Sequence, residues 1–258
     1  MPNIGLLIRR MGFLLICSFA MQSAASGQTK MEGVIRYLAV SNWTKMMRTL
    51  DYLSPQQKER VAYIWGNRSE WKSYKKLYFS EAGSKYEDSE EKAEPDDEGY
   101  SWRKSVYFIR RDFERRLIHD AVTMLGKTYI IEDSLHEQNW KILNDMKEVA
   151  GHVCMNAFWE DTVKHQRITV WFALDLPVPA GPERLCGLPG IILEADYNDG
   201  ALVLTADKIE FKPLTNEMDL PKKIKGKKVK EAEYQTAIKK HMEEKRKSEE
   251  PWFWGLRY

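Results

Sequence analysis

Between residues 31 and 212, short runs of alternating apolar and polar positions are separated by Gly, Pro, Asn and Asp. Period-two alternation is the pattern of a strand with one buried face, and the punctuating residues supply turns. The runs fall at 31–40, 74–79, 106–110, 114–119, 127–132, 140–144, 151–159, 167–173, 191–196, 201–206 and 207–212. They are rich in β-branched and aromatic residues, and their close spacing predicts antiparallel sheet. Asn198-Asp199-Gly200 predicts a tight turn, because these residues tolerate its backbone angles. Two stretches depart from the pattern. Ser54-Pro55-Gln56-Gln57 has the cap, the first-turn proline and the return glutamine of a helix start, predicting a helix to residue 64 or 65. Residues 229–248 carry helix formers with few apolar side chains and predict an exposed helix. The fold class is thus α+β and β-rich, a curved antiparallel sheet with a few peripheral helices.

The ends of the chain differ from its middle. Arg9 and Arg10 precede an apolar run from Met11 to Met21, and Ser23-Ala24-Ala25-Ser26-Gly27 follows. That order predicts a signal peptide over residues 1–27, cleaved after Gly27. A membrane anchor is the competing reading, but a spanning helix needs about 20 apolar residues. An acylated Cys17 is another, although Ile16 is not the small residue that chemistry wants. The expected location is outside the cytoplasm: periplasmic, outer-membrane-associated or secreted. Cleavage would leave Cys154 and Cys186, which an oxidising compartment would join in a disulfide. Residues 28–221 read as a single β-rich domain. Within it, 81–99 hold nine acidic residues and almost nothing apolar, predicting a solvated or disordered loop. The loop lacks the ligand spacing of a calcium site. Residues 222–258 read as a basic helical tail ending in Trp252, Phe253, Trp254 and Tyr258.

Composition sharpens this picture. The chain has 258 residues, 43% hydrophobic and 30% charged, with three cysteines. That fits one domain plus extensions and excludes a collagen-like, wholly disordered or disulfide-dense chain. The formal charge is +2. Arg9 and Arg10 account for it, so the exported chain would be neutral and nucleic acid is not an expected partner. The charge is polarised instead, −7 over 81–98 and +7 over 222–247. These segments either pair with each other or face solvent separately.

The most distinctive stretch is 171–193, where Pro177, Pro179, Gly181, Pro182, Gly187, Pro189 and Gly190 lie between two strand-like runs. Proline fixes φ and glycine admits positive φ, so 176–190 predicts a rigid multi-turn crossover. Here the chain resembles the GLPGLI family of exported Gram-negative proteins. The resemblance rests on Gly187, Leu188, Pro189, Gly190, Ile191 and Ile192, with Ala180-Gly181-Pro182 upstream. It extends to Ile131-Glu132-Asp133, Trp140, Gly151–Ala157, Arg167 and Trp171-Phe172, and more weakly to 33–37. Ile191 stands in place of the usual Leu, and Glu183 where an aromatic is frequent. The resemblance implies an exported β-rich protein and no activity, because the family has no assigned function.

Candidate chemistry is sparse. Arg167 is a binding candidate whose bland alternative is a surface ion pair. Trp140, Trp171 and Phe172 line either a pocket or the core. His152 and Cys154, two apart on a strand, could join Cys186 around a metal only with reduced thiols, so no metal or cofactor is expected. Serine-hydrolase, zinc-hydrolase and phosphate-loop signatures are missing from the sequence. The expected role is non-enzymatic: binding or assembly of an envelope protein, or of an apolar ligand held by a curved sheet. Peripheral membrane contact through the basic tail is a further expectation. A hydrolase with an unidentified site is the alternative.

Overall fold

The computed structural model describes residues 30–65, 70–93, 105–220, 223–250 and 256–257. The chain divides into residues 1–30 and Met31–Tyr258, and the fold below belongs to the second unit. The expected signal segment with Cys17, the 94–99 part of the acidic stretch, and Trp252, Phe253, Trp254 and Tyr258 lie outside the described residues.

The strands are β1 (Gly33–Asn42), β2 (Glu70–Ser80), β3 (Gly83–Asp88), β4 (Tyr107–Asp112), β5 (Leu117–Met124), β6 (Lys127–Ser134), β7 (Lys141–Val149), β8 (His152–Asp161), β9 (Gln166–Ala173), β10 (Ile191–Tyr197), β11 (Leu202–Phe211) and β12 (Lys227–Val229). The helices are α1 (Trp43–Arg48), α2 (Pro55–Trp65) and α3 (Glu231–Lys247). Among the described residues, all the strands belong to a 12-stranded sheet in the order β12-β6-β5-β4-β3-β2-β1-β11-β10-β9-β8-β7. Neighbours are antiparallel except β12 and β6, which run parallel. The first strand therefore lies in the middle, hydrogen-bonded to β2 on one side and β11 on the other. Its alternate residues Ile35, Tyr37 and Ala39 are buried in the core, as period two requires.

Several boundaries follow local chemistry. The Ser54–Gln57 capping box forms: Ser54 N–H donates to Gln57 Oε1 at 2.7 Å, and Gln57 N–H to Ser54 Oγ at 3.3 Å. The 198–200 turn forms too, with Asn198, Asp199 and Gly200 all at positive φ. The expected strands at 201–206 and 207–212 are one strand, β11. A bulge in β11 at Asp207, opposite Arg36 and Tyr37 of β1, takes up the change of register. The run at 114–119 is displaced, because residues 113–116 turn with Arg116 at φ 53° and β5 begins at Leu117.

Two larger corrections concern the charged segments. The acidic stretch is not all loop: its first part is β3, with Gly83, Ser84, Lys85 and Tyr86 buried. Lys85 is accommodated because its ammonium lies 4.7 Å from the centre of the Tyr78 ring and 5.8 Å from that of Phe108. Helix α3 is not an exposed tail. Tyr234, Ile238, His241 and Met242 are buried, and Tyr234, Ile238 and Met242 join the main core. Its approach is fixed by β6, where Lys228 pairs with Glu132 and Lys230 with Asp133, while Arg246 pairs with Asp51. The basic segment thus finds most of its described partners outside the acidic stretch. No described helix is long and apolar enough to cross a membrane.

The crossover is held from several sides. Leu176, Val178, Ala180, Leu185, Cys186 and Leu188 are buried along it. Trp140 Nε1 donates to the Cys186 carbonyl at 2.8 Å. Gln138 accepts from Cys186 N–H through Oε1 at 3.0 Å and donates to the Arg184 carbonyl at 3.2 Å. Tyr37 Oη donates to the Ile192 carbonyl at 2.6 Å. The conformational reason for the motif is local: Gly187 has φ 91°, and a Cβ on Gly190 would lie 1.9 Å from the Ala173 carbonyl oxygen.

Candidate functional site

The residues singled out in the sequence do not converge. Arg167 is exposed, with its guanidinium 4.1 Å from the centre of the Phe158 ring and 3.7 Å from Glu160. Trp140 clamps the crossover and meets Trp159 edge-on. Phe172 is in the core. Trp171 is covered by Lys147, whose ammonium lies 4.6 Å from its ring centre. None of these four residues lines the cavities described below.

The expected disulfide is corrected: Cys154 and Cys186 are free and buried. Cys154 lies near Asp175, Lys147 and Glu194, whereas Cys186 lies near Arg111, Glu137 and Asp120. Cys154 belongs to β8 and Cys186 to the crossover, and the leading charges around them are different sets. Burial, aided by Asp175, pushes the Cys154 thiol up to about 11, and burial also raises that of Cys186. Neither is thereby poised as a thiolate nucleophile. His152 Nδ1 lies 2.7 Å from Asp175 Oδ2. Among the described residues, no group of three or more His, Cys, Asp or Glu side chains is arranged to hold a metal ion.

Polar chemistry gathers elsewhere, in a cavity of 310 Å³ between β4 and β5, the crossover, the β8–β9 hairpin and α3. Its lining includes Tyr107, Asp161, Lys164, Glu183, Arg184 and Arg257. One side is a chain of ion pairs. Fully buried Asp120 accepts from Arg111 and from Arg184 Nε at 2.9 Å, and Arg184 also grips Glu231 at the start of α3. Burial opposes the Arg184 charge, but Asp120 and Glu231 outweigh it and raise its affinity for the proton. The network therefore ties β5, the crossover and α3 together.

The other side is a cradle around Arg257. Glu183 sits on the crossover at φ 54° and is buried. Its Oε1 accepts from Tyr86 Oη at 3.0 Å and from Arg257 Nε at 3.0 Å, while Tyr107 Oη donates to its Oε2. A second Arg257 nitrogen reaches Asp88 Oδ1 at 2.8 Å, where Lys75 also donates at 2.8 Å. The guanidinium carbon lies 3.4 Å from the centre of the Tyr107 ring. Burial, reinforced by the Glu183 charge, pushes the Tyr86 and Tyr107 hydroxyls well above the usual phenol range, so both remain donors. Burial works against ionisation of Asp88, yet Arg257 and Lys75 outweigh it and hold the carboxyl down at about 2.

Lys164 lies between these groups. Burial lowers its pKa, Asp161 and Glu183 partly restore it, and Arg184 and Arg257 oppose it. Its backbone N–H donates to Asp161 Oδ1 at 3.0 Å. The sequence reading passed over Lys164, Asp161 and Arg257. The available signal was Glu183-Arg184 itself, a charged pair inside an otherwise apolar Pro/Gly crossover, with Glu183 already a departure from the family pattern.

With this geometry established, known proteins place the architecture. Two solved structures of PNGF-II, in space groups C2 and P21, share the β-rich fold, with TM-scores of 0.53 and 0.52 at 12% and 14% identity. Each match covers 80% of this chain and 32% of the other, so the chain spans about a third of the length of those it resembles. A model of a family described as a protein of unknown function (Porph_ging) matches residues 135–194, from the end of β6 through the crossover into β10. No curated protein matches in sequence.

Proposed function

We propose that this chain is an exported, GLPGLI-type cell-envelope protein that binds a partner polypeptide at the 310 Å³ cavity without chemically transforming it. The cavity carries the reading. Its arginines are matched to carboxylates, which makes a surface for recognition rather than a set of groups free to exchange protons. Glu183, the carboxylate best placed for catalysis, has both oxygens engaged by tyrosine hydroxyls and Arg257. The charged and aromatic lining favours a polar polypeptide segment over the apolar ligand expected from sheet curvature. The match over 135–194 and the motif at 187–192 support the family reading, and the basic-apolar-small order of residues 1–27 supports export. Membrane contact through α3 draws less support, because its apolar residues pack against the sheet.

The hydrolase alternative draws on Asp161, Lys164 and Glu183 lining one cavity. A photo-crosslinking residue at exposed His136, on the cavity rim, separates the readings in the native envelope. The binding reading expects a discrete adduct with one polypeptide, lost when Lys164→Glu reverses the charge of the lining. Crosslinks confined to the chain itself would count against it. Amino-terminal sequencing of the mature protein tests export, with Gln28 expected as the first residue.

A further inference from the structure

The cradle around Arg257 is assembled from the body of the fold. Lys75 comes from β2, Tyr86 and Asp88 from β3, Tyr107 from β4 and Glu183 from the crossover. The guanidinium alone comes from beyond α3, near the end of the chain. Without it the cradle holds two carboxylates and one ammonium. Glu183 would lose its hydrogen-bonded cation and keep two neutral hydroxyl donors and the fields of Lys75 and Lys164, in a buried place where a weakly compensated charge is costly. A buried glutamate in the left-handed region, held by two tyrosines, is a preorganised counter-charge. The site is selective in shape as well as charge. Two carboxylates take the edges of the guanidinium and the Tyr107 ring takes its face, an arrangement that suits arginine and not lysine.

Arg257 and Leu256 also border two spaces. Both residues, with Glu183, line the 310 Å³ cavity and a second one of 170 Å³ that includes Trp43, Met46 and Lys75. We infer that the Glu183–Asp88–Tyr107 cradle is an arginine-recognition site, occupied in cis by Arg257, whose ligand is an arginine-bearing polypeptide segment that displaces this residue and joins the two cavities. The inference rests on the binding reading above and adds the identity of the recognised side chain. The covalent link keeps the chain's own arginine at high effective concentration, so a competitor must match its contacts to displace it.

The test uses the full-length chain, its Arg257→Ala variant and a synthetic peptide of residues 250–258. The peptide is expected to bind the folded variant at least about tenfold more tightly than the wild type. It should also bind at least about tenfold more tightly than the same peptide carrying lysine in place of arginine. Adding Asp88→Asn or Glu183→Gln to the variant should weaken binding further. Equal binding to wild type and variant, or indifference to the lysine exchange, would overturn the inference. Should Arg257→Ala fail to fold, the wild-type chain supplies the measurement. Ethylguanidinium, unlike ethylammonium, is expected to perturb the Arg257 Nε–H resonance, and an unchanged resonance in excess ethylguanidinium refutes the site. An adduct at His136 that forms while the peptide fails to bind would sink the arginine site and leave the binding reading standing. Peptide binding without an envelope adduct would leave the arginine selectivity of the cradle standing and overturn the partner reading on which its role rests.

Discussion

Gly190 meets the Ala173 carbonyl oxygen where any larger residue would place its first carbon. Gly190→Ala must therefore push the crossover away from β9, and a loss of about 3 kcal/mol is expected in denaturant unfolding. Asp88 offers a second measurement at this scale. Its folded-state pKa of about 2 lies below the ordinary carboxylate value of about 3.9, so its pairing stabilises the fold above about pH 4. That contribution fades as the pH falls from there toward 2. Arg257→Ala removes one of its two cations, and carbon-detected NMR titration should show the Asp88 pKa rising toward the ordinary value, with Lys75 retaining part of the shift. The thiols make a third case. Labelling of the non-reduced native protein should leave Cys154 and Cys186 slow to react, and denaturant should expose both as free thiols. Glu183 shows why such roles were hidden in the sequence. It was visible as an anomaly, but Tyr86 lies 97 positions away and Arg257 lies 74. No local pattern connects residues that only the sheet and the chain's return bring together.

The elements divide by how much of their stability is local. Helix α2 and the 198–200 turn were legible because their signals lie within a few residues. Strands with clean alternation were legible for the same reason. β3 was obscured because charge dominates its surroundings, and its burial depends on β2 and β4 at either side. α3 was placed correctly but read as exposed, since only Tyr234, Ala237, Ile238 and Met242 mark its apolar face. Its docking should be measurable: Ile238→Ala is expected to cost about 2–4 kcal/mol and to loosen the α3 amides in hydrogen exchange. An unchanged stability would mean that the helix rests on the sheet without contributing to its core. The crossover lies between these extremes. Proline and glycine announced its rigidity and Trp140 was open to a place in the core, while Gln138, which also holds Cys186, gave no sign of that role.

At the scale of the molecule, β-rich character and the antiparallel meanders followed from the sequence, but the order of the strands did not. Hairpins explain most neighbours. The decisive exception is the pairing of β1 with β11, which carries the Arg36–Asp207 ion pair across 171 positions. That central position has a consequence in time. The first strand leads the described chain, yet its second edge stays open until β11 has been delivered. Closing so long a loop makes folding slow, with refolding expected on the millisecond-to-second scale or beyond in stopped-flow fluorescence. A variant weakening β11, such as Leu204→Ala, should speed unfolding while leaving the early hairpin phases unchanged. On this topology the two meanders, β1–β6 and β7–β11, are expected to pair locally before β1 meets the last of its partners.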